Sequence, residues 1–310
     1  MPPNRPLSRP AFRRSLPYLL LGCALLLGLA LLIAFPASPG TASAEATRVI
    51  HREPSRFGTV LVFEERGQRC LNFNSIENNG RQTCFNLKSP DHMVFNYTRM
   101  MTSALFVNPQ PSRILIVGLG GATLQNALKK ILPQATIDSV DVDPAVARVA
   151  ERYFGYEPGP RQRLFIEDGR AFIERALQEG RHYDMVMLDA FDIDYIPAHL
   201  QTREFLQQVR SLLSPAGVLV ANTFTHSQAY ERESATYAVV FGDFFNLRAN
   251  NRVIIASRAP LPDHATLSRN ANALAGTLRG FGVDVERELQ RFSRVRDWDE
   301  KAAVLTDAGA

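Results

Sequence analysis

Apolar positions along this chain fall into two rhythms. Between residues 47 and 87 they come in short alternating runs, 49–51, 59–63, 69–73 and 82–87, separated by polar or glycine turns, which predicts a small antiparallel sheet. From residue 113 onward, unbroken apolar runs alternate with stretches of helical spacing, which predicts a mostly parallel sheet with helices on both faces. Residues 114–117 are suited to a strand buried on both sides; Gly118, Gly120 and Gly121 follow, and then Leu124, Ala127, Leu128 and Ile131 recur at helical spacing. Further strands are expected at 136–140, 164–166, 183–188, 218–221, 244–247 and 252–257, with helices at 144–153, 169–178, 202–213 and 227–240 between them. Asp143-Pro144 supplies a cap and a first-turn proline for the first of these helices. Residues 91–106 read as a helix capped by Asp91, with Met93, Tyr97, Met100 and Leu105 near one face. Residues 261–310 read as helical and charged, with no chemistry.

The amino terminus changes this picture. Arg5, Arg9, Arg13 and Arg14 precede residues 17–35, a run of 19 without charge that would make a helix about 28 Å long. Ala42-Ser43-Ala44 reads as a small-residue cleavage site, so a signal peptide competes with an uncleaved anchor. The apolar run exceeds a usual signal core, which favours an anchor in a bacterial-type inner membrane, single-pass, with the amino terminus cytoplasmic and the body extracytoplasmic. The alternative is a cleaved, periplasmic or secreted protein. The expected organisation is a leader at 1–44, a small β domain plus helix at 45–107, a nucleotide-binding domain at 108–258 and a helical extension at 259–310. Of 35 basic residues, four lie in the leader, leaving 31 against 31 acidic residues in the body. A neutral body excludes a nucleic-acid footprint.

The candidate chemistry gathers at strand ends. In Gly118-Leu119-Gly120-Gly121 a ligand can approach the backbone, and the helix that follows offers unpaired N–H groups. Asp141, closing the next strand 23 positions past Gly118, can accept both hydroxyls of a ribose. Asp168 and Asp189 close the next two strands. In an open parallel sheet, ligands lie beyond the carboxyl ends of the strands, so three acids in register suggest one cleft for a nucleoside-like ligand. Helix capping accounts equally well for any one of them.

These segments carry a resemblance. GLGGATLQNAL, VDVDP, EDGRAFI, YDMVMLDAFD and IPAHLQTREF resemble the aminopropyltransferase (spermidine synthase) family, nearest to its divergent, membrane-associated branch, over roughly residues 48–257. The resemblance implies a methyltransferase-type Rossmann fold with a mostly parallel, seven-stranded sheet, preceded by a small antiparallel β domain. It implies decarboxylated S-adenosylmethionine, or S-adenosylmethionine, as co-substrate, with no metal. By position, Gly118, Gly120 and Gly121 would lie along the thioether side, Asp141 would hold the ribose, and Asp168 with Gly169 the adenine edge. Asp189 would be the catalytic base, and Asp192 would bind the amine substrate. The acceptor half departs from the family's pattern: its glycine-loop acid is missing, its Tyr-His-Glu segment reads Phe95-Asn96-Tyr97, a glutamine appears as Gly58, and a proline as Ile193.

Transfer of an aminopropyl group to an amine in polyamine biosynthesis is therefore the leading expectation. Another S-adenosylmethionine-dependent transfer, most simply methylation, or a non-catalytic membrane-tethered binding protein of the same fold are the alternatives. The expected partners are a small-molecule amine acceptor and the membrane, with a homodimer left open. Cys70 and Cys84 flank a turn and fit either a cross-strand disulfide or two reduced core thiols. The six histidines show no partner at catalytic or ligand spacing; His199 and His226 follow strand-end loops.

Overall fold

The computed structural model describes residues 46–77, 81–191 and 195–309. Its first sheet is an antiparallel meander of five strands in chain order: β1 (Arg48–Ser55), β2 (Gly58–Glu65), β3 (Gln68–Phe73), β4 (Thr83–Asn86) and β5 (Ser89–Met93). Cys70 and Cys84 stand opposite one another on β3 and β4 and are bonded, so the disulfide is the alternative realised.

The helix expected from residue 91 is corrected. Pairing of Asn86 with Ser89 and of Phe85 with Met93 draws residues 89–93 into the meander, so Asp91 lies in a strand and caps nothing. Helix α1 (Asn96–Thr102) starts only after it and continues as a 3-10 turn through Phe106.

The second sheet has seven strands. They are β6 (Arg113–Val117), β7 (Thr136–Asp141), β8 (Gln162–Ile166), β9 (Tyr183–Leu188), β10 (Leu213–Phe224), β11 (Phe244–Arg248) and β12 (Asn251–Ser257), in the order β11-β12-β10-β9-β6-β7-β8. β6 to β10 run parallel, and β12 enters antiparallel against β10. The expected helices are α2 (Thr123–Ile131), α3 (Pro144–Tyr153), α4 (Gly169–Gln178), α5 (Arg203–Leu212) and α6 (Tyr230–Phe241). They cover both faces, burying Ile114, Ile116, Leu128 and Ile137 on one side and Leu115, Val186, Phe172 and Phe205 on the other.

The order reverses between β6 and β9, because the chain steps outward to β7 and β8 and then returns to the far side of β6. That reversal opens a crevice at the carboxyl ends of the strands. The meander closes over it: Val60, Val62 and Leu71 pack on Leu119, Val146, Val149 and Phe154.

The carboxyl-terminal expectation is half met. Helices α7 (His264–Arg279) and α8 (Val285–Leu289) form, but from residue 290 the chain runs as an irregular strap that ends in a 3-10 turn, Asp307–Gly309. Trp298 stacks on Phe244 at 4.9 Å, and the amide of Asn246 on edge strand β11 donates to Ser293 O at 2.8 Å, so the strap covers that edge.

Among the described residues no helix is long and apolar enough to cross a membrane; the longest, α7, has 16 residues and carries Arg269 and Arg279. The leader on which the anchor was expected lies outside the described residues.

Candidate active site

Each expected cofactor residue reaches the same place by its own element. A cavity of about 310 Å³ lies at the strand reversal and is lined by Gly118, Gly120 and Gly121 from the β6–α2 turn, Asp141 from the end of β7, Asp168 and Gly169 from the β8–α4 junction, and Asp189 after β9. Asp192 lies outside the described residues. The meander contributes Phe57, Phe73, Gln82 and Thr83 to the opposite wall, and α1 contributes Tyr97.

Backbone geometry explains two of the glycines. Gly118 has φ +105°, and a Cβ there would sit 2.2 Å from the Asp189 carbonyl oxygen, so only glycine lets the turn pass the neighbouring strand end. Gly121 faces the meander, where a Cβ would fall 2.2 Å from Thr83 Cγ2. Thr83 Oγ1 in turn lies 3.0 Å from Thr123 Oγ1, so the glycine turn and β4 are fitted to one another. Gly58, where the family resemblance expects a glutamine, has φ +109° in the β1–β2 turn, and a Cβ would meet Asn74 Oδ1 at 2.1 Å. The hairpin excludes a side chain at that position.

The three acids are held differently. Asp141 Oδ2 accepts from Leu119 N and Oδ1 from Asp143 N, both at 2.9 Å, so its carboxylate secures the glycine turn while facing the cavity. Burial pushes this carboxyl up to about 6, with those amides opposing the rise. Asp168 is the N-cap of α4: Oδ1 accepts from Arg170 N and Ala171 N at 2.9 and 3.0 Å. Its Oδ2 meets His199 Nε2 at 2.9 Å. Burial acts to raise Asp168, but the amides and the imidazole outweigh it and hold the carboxyl below its ordinary value. Among the described residues Asn222 Nδ2 donates to Asp189 Oδ1 at 2.9 Å and pulls against burial, which pushes the carboxyl up to about 7. Tyr97 is pushed well above the ordinary phenol range, by burial first and then by the charge of Asp189.

The reading of every histidine as partnerless is thus corrected at His199, which the β9–α5 loop swings onto Asp168. Three contributors were not assigned a role in advance. Asn222 closes the apolar run of β10, and the strand-end logic applied to the acids finds it when extended to amides. Gln125 is buried and donates to Gly118 O at 2.9 Å from the expected helix. Gln82 comes from the meander, and no local pattern marks it.

The doubly wound sheet with its antiparallel β12, the separate meander and the cavity at the strand reversal define the class, an α/β protein with a methyltransferase-like fold. Residues 94–254 match the family model of the spermine/spermidine synthase domain. The chain is 42% identical over 264 residues to a polyamine aminopropyltransferase of Vibrio vulnificus, covering 84% of this chain and 88% of that protein. Among solved structures, a probable spermidine synthase from Corynebacterium glutamicum superposes with a TM-score of 0.61 at 20% identity, covering 82% of this chain and 98% of that one. A spermidine synthase in complex with the transition-state analogue AdoDATO gives 0.55 at 20% identity, covering 84% and 83%. The chain belongs to the spermine/spermidine synthase family.

The expected single-pass membrane placement with an extracytoplasmic body is withdrawn. Most of the chain matches a polyamine aminopropyltransferase along most of that protein's length.

Proposed function

We infer that this chain is an aminopropyltransferase of polyamine biosynthesis, and we propose that the cavity at the strand reversal holds decarboxylated S-adenosylmethionine beside an amine acceptor. The observation that carries this reading is the convergence of the glycine turn and three strand-end acids on one cavity in a chain of this family. Asp141 accepts the ribose hydroxyls on the lone pairs its backbone donors leave. Gly120 and Gly121 border the thioether side, and Gly169 with Asp168 the adenine edge. The AdoDATO complex of a related fold supports a co-substrate of this type.

The amine nitrogen attacks the carbon next to the sulfonium. An N–C bond forms, the C–S bond breaks with its electron pair passing to sulfur, and methylthioadenosine leaves as a neutral thioether. The leaving group is already good, so the protein's task is to hold an unprotonated amine in line. Asp189 takes the proton: a carboxyl raised to about 7 is a better base than an ordinary aspartate and is still ionised in about half of the molecules at neutral pH. Asp192 is assigned the distal ammonium of the acceptor.

Product analysis after incubation with putrescine and decarboxylated S-adenosylmethionine tests the reading; spermidine and methylthioadenosine are expected. Formation of S-adenosylhomocysteine and a methylated amine from S-adenosylmethionine, with no aminopropyl product, would replace it with methyl transfer.

A further inference from the structure

We propose that Asp307, in the carboxyl-terminal strap, is a positioning residue for the nucleoside side of the cavity, acting through Arg170 and His199. The inference rests on the reading that this cavity holds an adenosine-type co-substrate.

Residues 303–309 are tied down on three helices. Arg232 Nε on α6 donates to Ala303 O at 3.3 Å, and Leu305 N donates to Thr236 Oγ1 at 2.8 Å. At the start of α5, Arg203 N donates to Leu305 O at 2.8 Å, and Asp307 N donates to Glu204 Oε2 at 3.1 Å. So fixed, the Asp307 carboxylate receives both terminal nitrogens of Arg170, at 2.8 and 2.7 Å. A bidentate pair of this kind sets direction as well as distance.

Arg170 is the second residue of α4 and directly follows Gly169 on the cavity wall. Its Nη1 also donates to His199 O at 3.3 Å, which anchors the backbone of the β9–α5 loop. The His199 ring then meets Asp168 Oδ2, the one oxygen of that carboxylate that the helix cap does not use. The order of support is therefore strap, guanidinium, loop, imidazole and finally the carboxylate assigned to the adenine edge. Arg170, with Thr202, holds Asp307 down to about 2, so the brace keeps its charge throughout the neutral range and acts as a fixed support rather than a switch.

The test measures methylthioadenosine affinity by calorimetry, together with kcat, KM for each substrate and the ligand-free melting temperature, in wild type, Asp307→Ala, Asp307→Asn, Arg170→Ala and the Asp307→Ala/Arg170→Ala pair. Loss of a partly exposed, bidentate pair predicts about a five-fold rise in Kd for methylthioadenosine and in KM for the nucleotide co-substrate. Unchanged kcat and amine KM are expected, the pattern of lost uniform binding. The double variant should bind no worse than Arg170→Ala alone, because both substitutions break one line of support. Asp307→Asn covers the case in which Asp307→Ala does not fold. Unchanged affinity in a folded Asp307 variant overturns the brace while leaving the co-substrate reading intact, as does additivity in the double variant. If wild type itself does not bind methylthioadenosine, the co-substrate reading falls and takes the brace with it.

Discussion

On the proposed mechanism, the proton transfer rests on one ionisation, that of Asp189. Its carboxyl is raised to about 7 by burial, and Asn222 supplies the opposing hydrogen bond. As a base it must be ionised, so kcat/KM should fall as pH drops through about 7, with a single limb assigned to this group. Asn222→Leu removes the donor that favours the charged form and should move that limb to higher pH; a profile unmoved by this change would assign the limb elsewhere. The same shift affects stability. Because the folded pKa lies above the unfolded one, the folded state binds the extra proton, and the associated stability is full below about 4 and lost as pH rises through about 7. Asp189→Asn, which never ionises, should therefore abolish turnover, retain methylthioadenosine binding and melt at a higher temperature than wild type at pH 8. The stability gain should vanish near pH 4. Asp141 needs a gentler change than alanine, since its carboxylate also receives Leu119 N and Asp143 N. Asp141→Asn keeps one acceptor oxygen and should weaken methylthioadenosine binding about ten-fold, at a cost near one charged hydrogen bond. Equal affinity in calorimetry would show that Asp141 serves only the turn.

At the scale of elements, the site is the seam between two sheets. Gly121→Ala would drive a Cβ to within 2.2 Å of Thr83 Cγ2 and 2.9 Å of Phe154 Cδ1, forcing β4 off the glycine turn. Overpacking of this kind costs roughly 1–3 kcal/mol. The variant should melt earlier and bind nucleotide less well, and Thr83→Ser, which removes the nearer clash, should restore part of both in thermal and binding assays. Behind that seam the Cys70–Cys84 bond joins β3 to β4, with Leu71 and Thr83, each adjacent to one cysteine, on the cavity wall. The bond closes a 15-residue loop, so removing it in a Cys70→Ala/Cys84→Ala variant is expected to cost about 3 kcal/mol in denaturant unfolding. Indistinguishable midpoints would show that the meander is held by packing alone.

For the whole molecule, the proposed co-substrate site is the crevice at the strand reversal, and the residues after the leader carry balanced formal charge. A ligand that binds only the folded state stabilises it by about 2.7 kcal/mol at one hundred times its Kd, so methylthioadenosine at that excess should raise the melting temperature clearly. Asp141→Asn should blunt the rise. The strap contributes at this scale too, since it covers edge strand β11 and reaches Arg170, beside the cavity wall at Gly169, from residues that showed no chemistry as a linear sequence.

What the linear order of residues determined by itself was local and periodic. Apolar runs marked the strands of the large sheet, Asp143-Pro144 marked a helix start, and Gly118 through Asp141 marked a turn, a helix and a strand-end acid, because side-chain spacing, caps and glycine conformations depend on neighbours a few residues away. The same logic placed Asp141, Asp168 and Asp189 on one rim, since parallel topology brings successive strand ends together. Tertiary structure alone decided what reaches that rim from afar: Thr83 fitted against Gly121, Asn222 against Asp189, His199 against Asp168 and Asp307 against Arg170. It also turned residues 89–93 into a strand, because their hydrogen bonds lie with β4 rather than along a helix. Such pairings join residues tens to more than a hundred positions apart, and no periodicity records them.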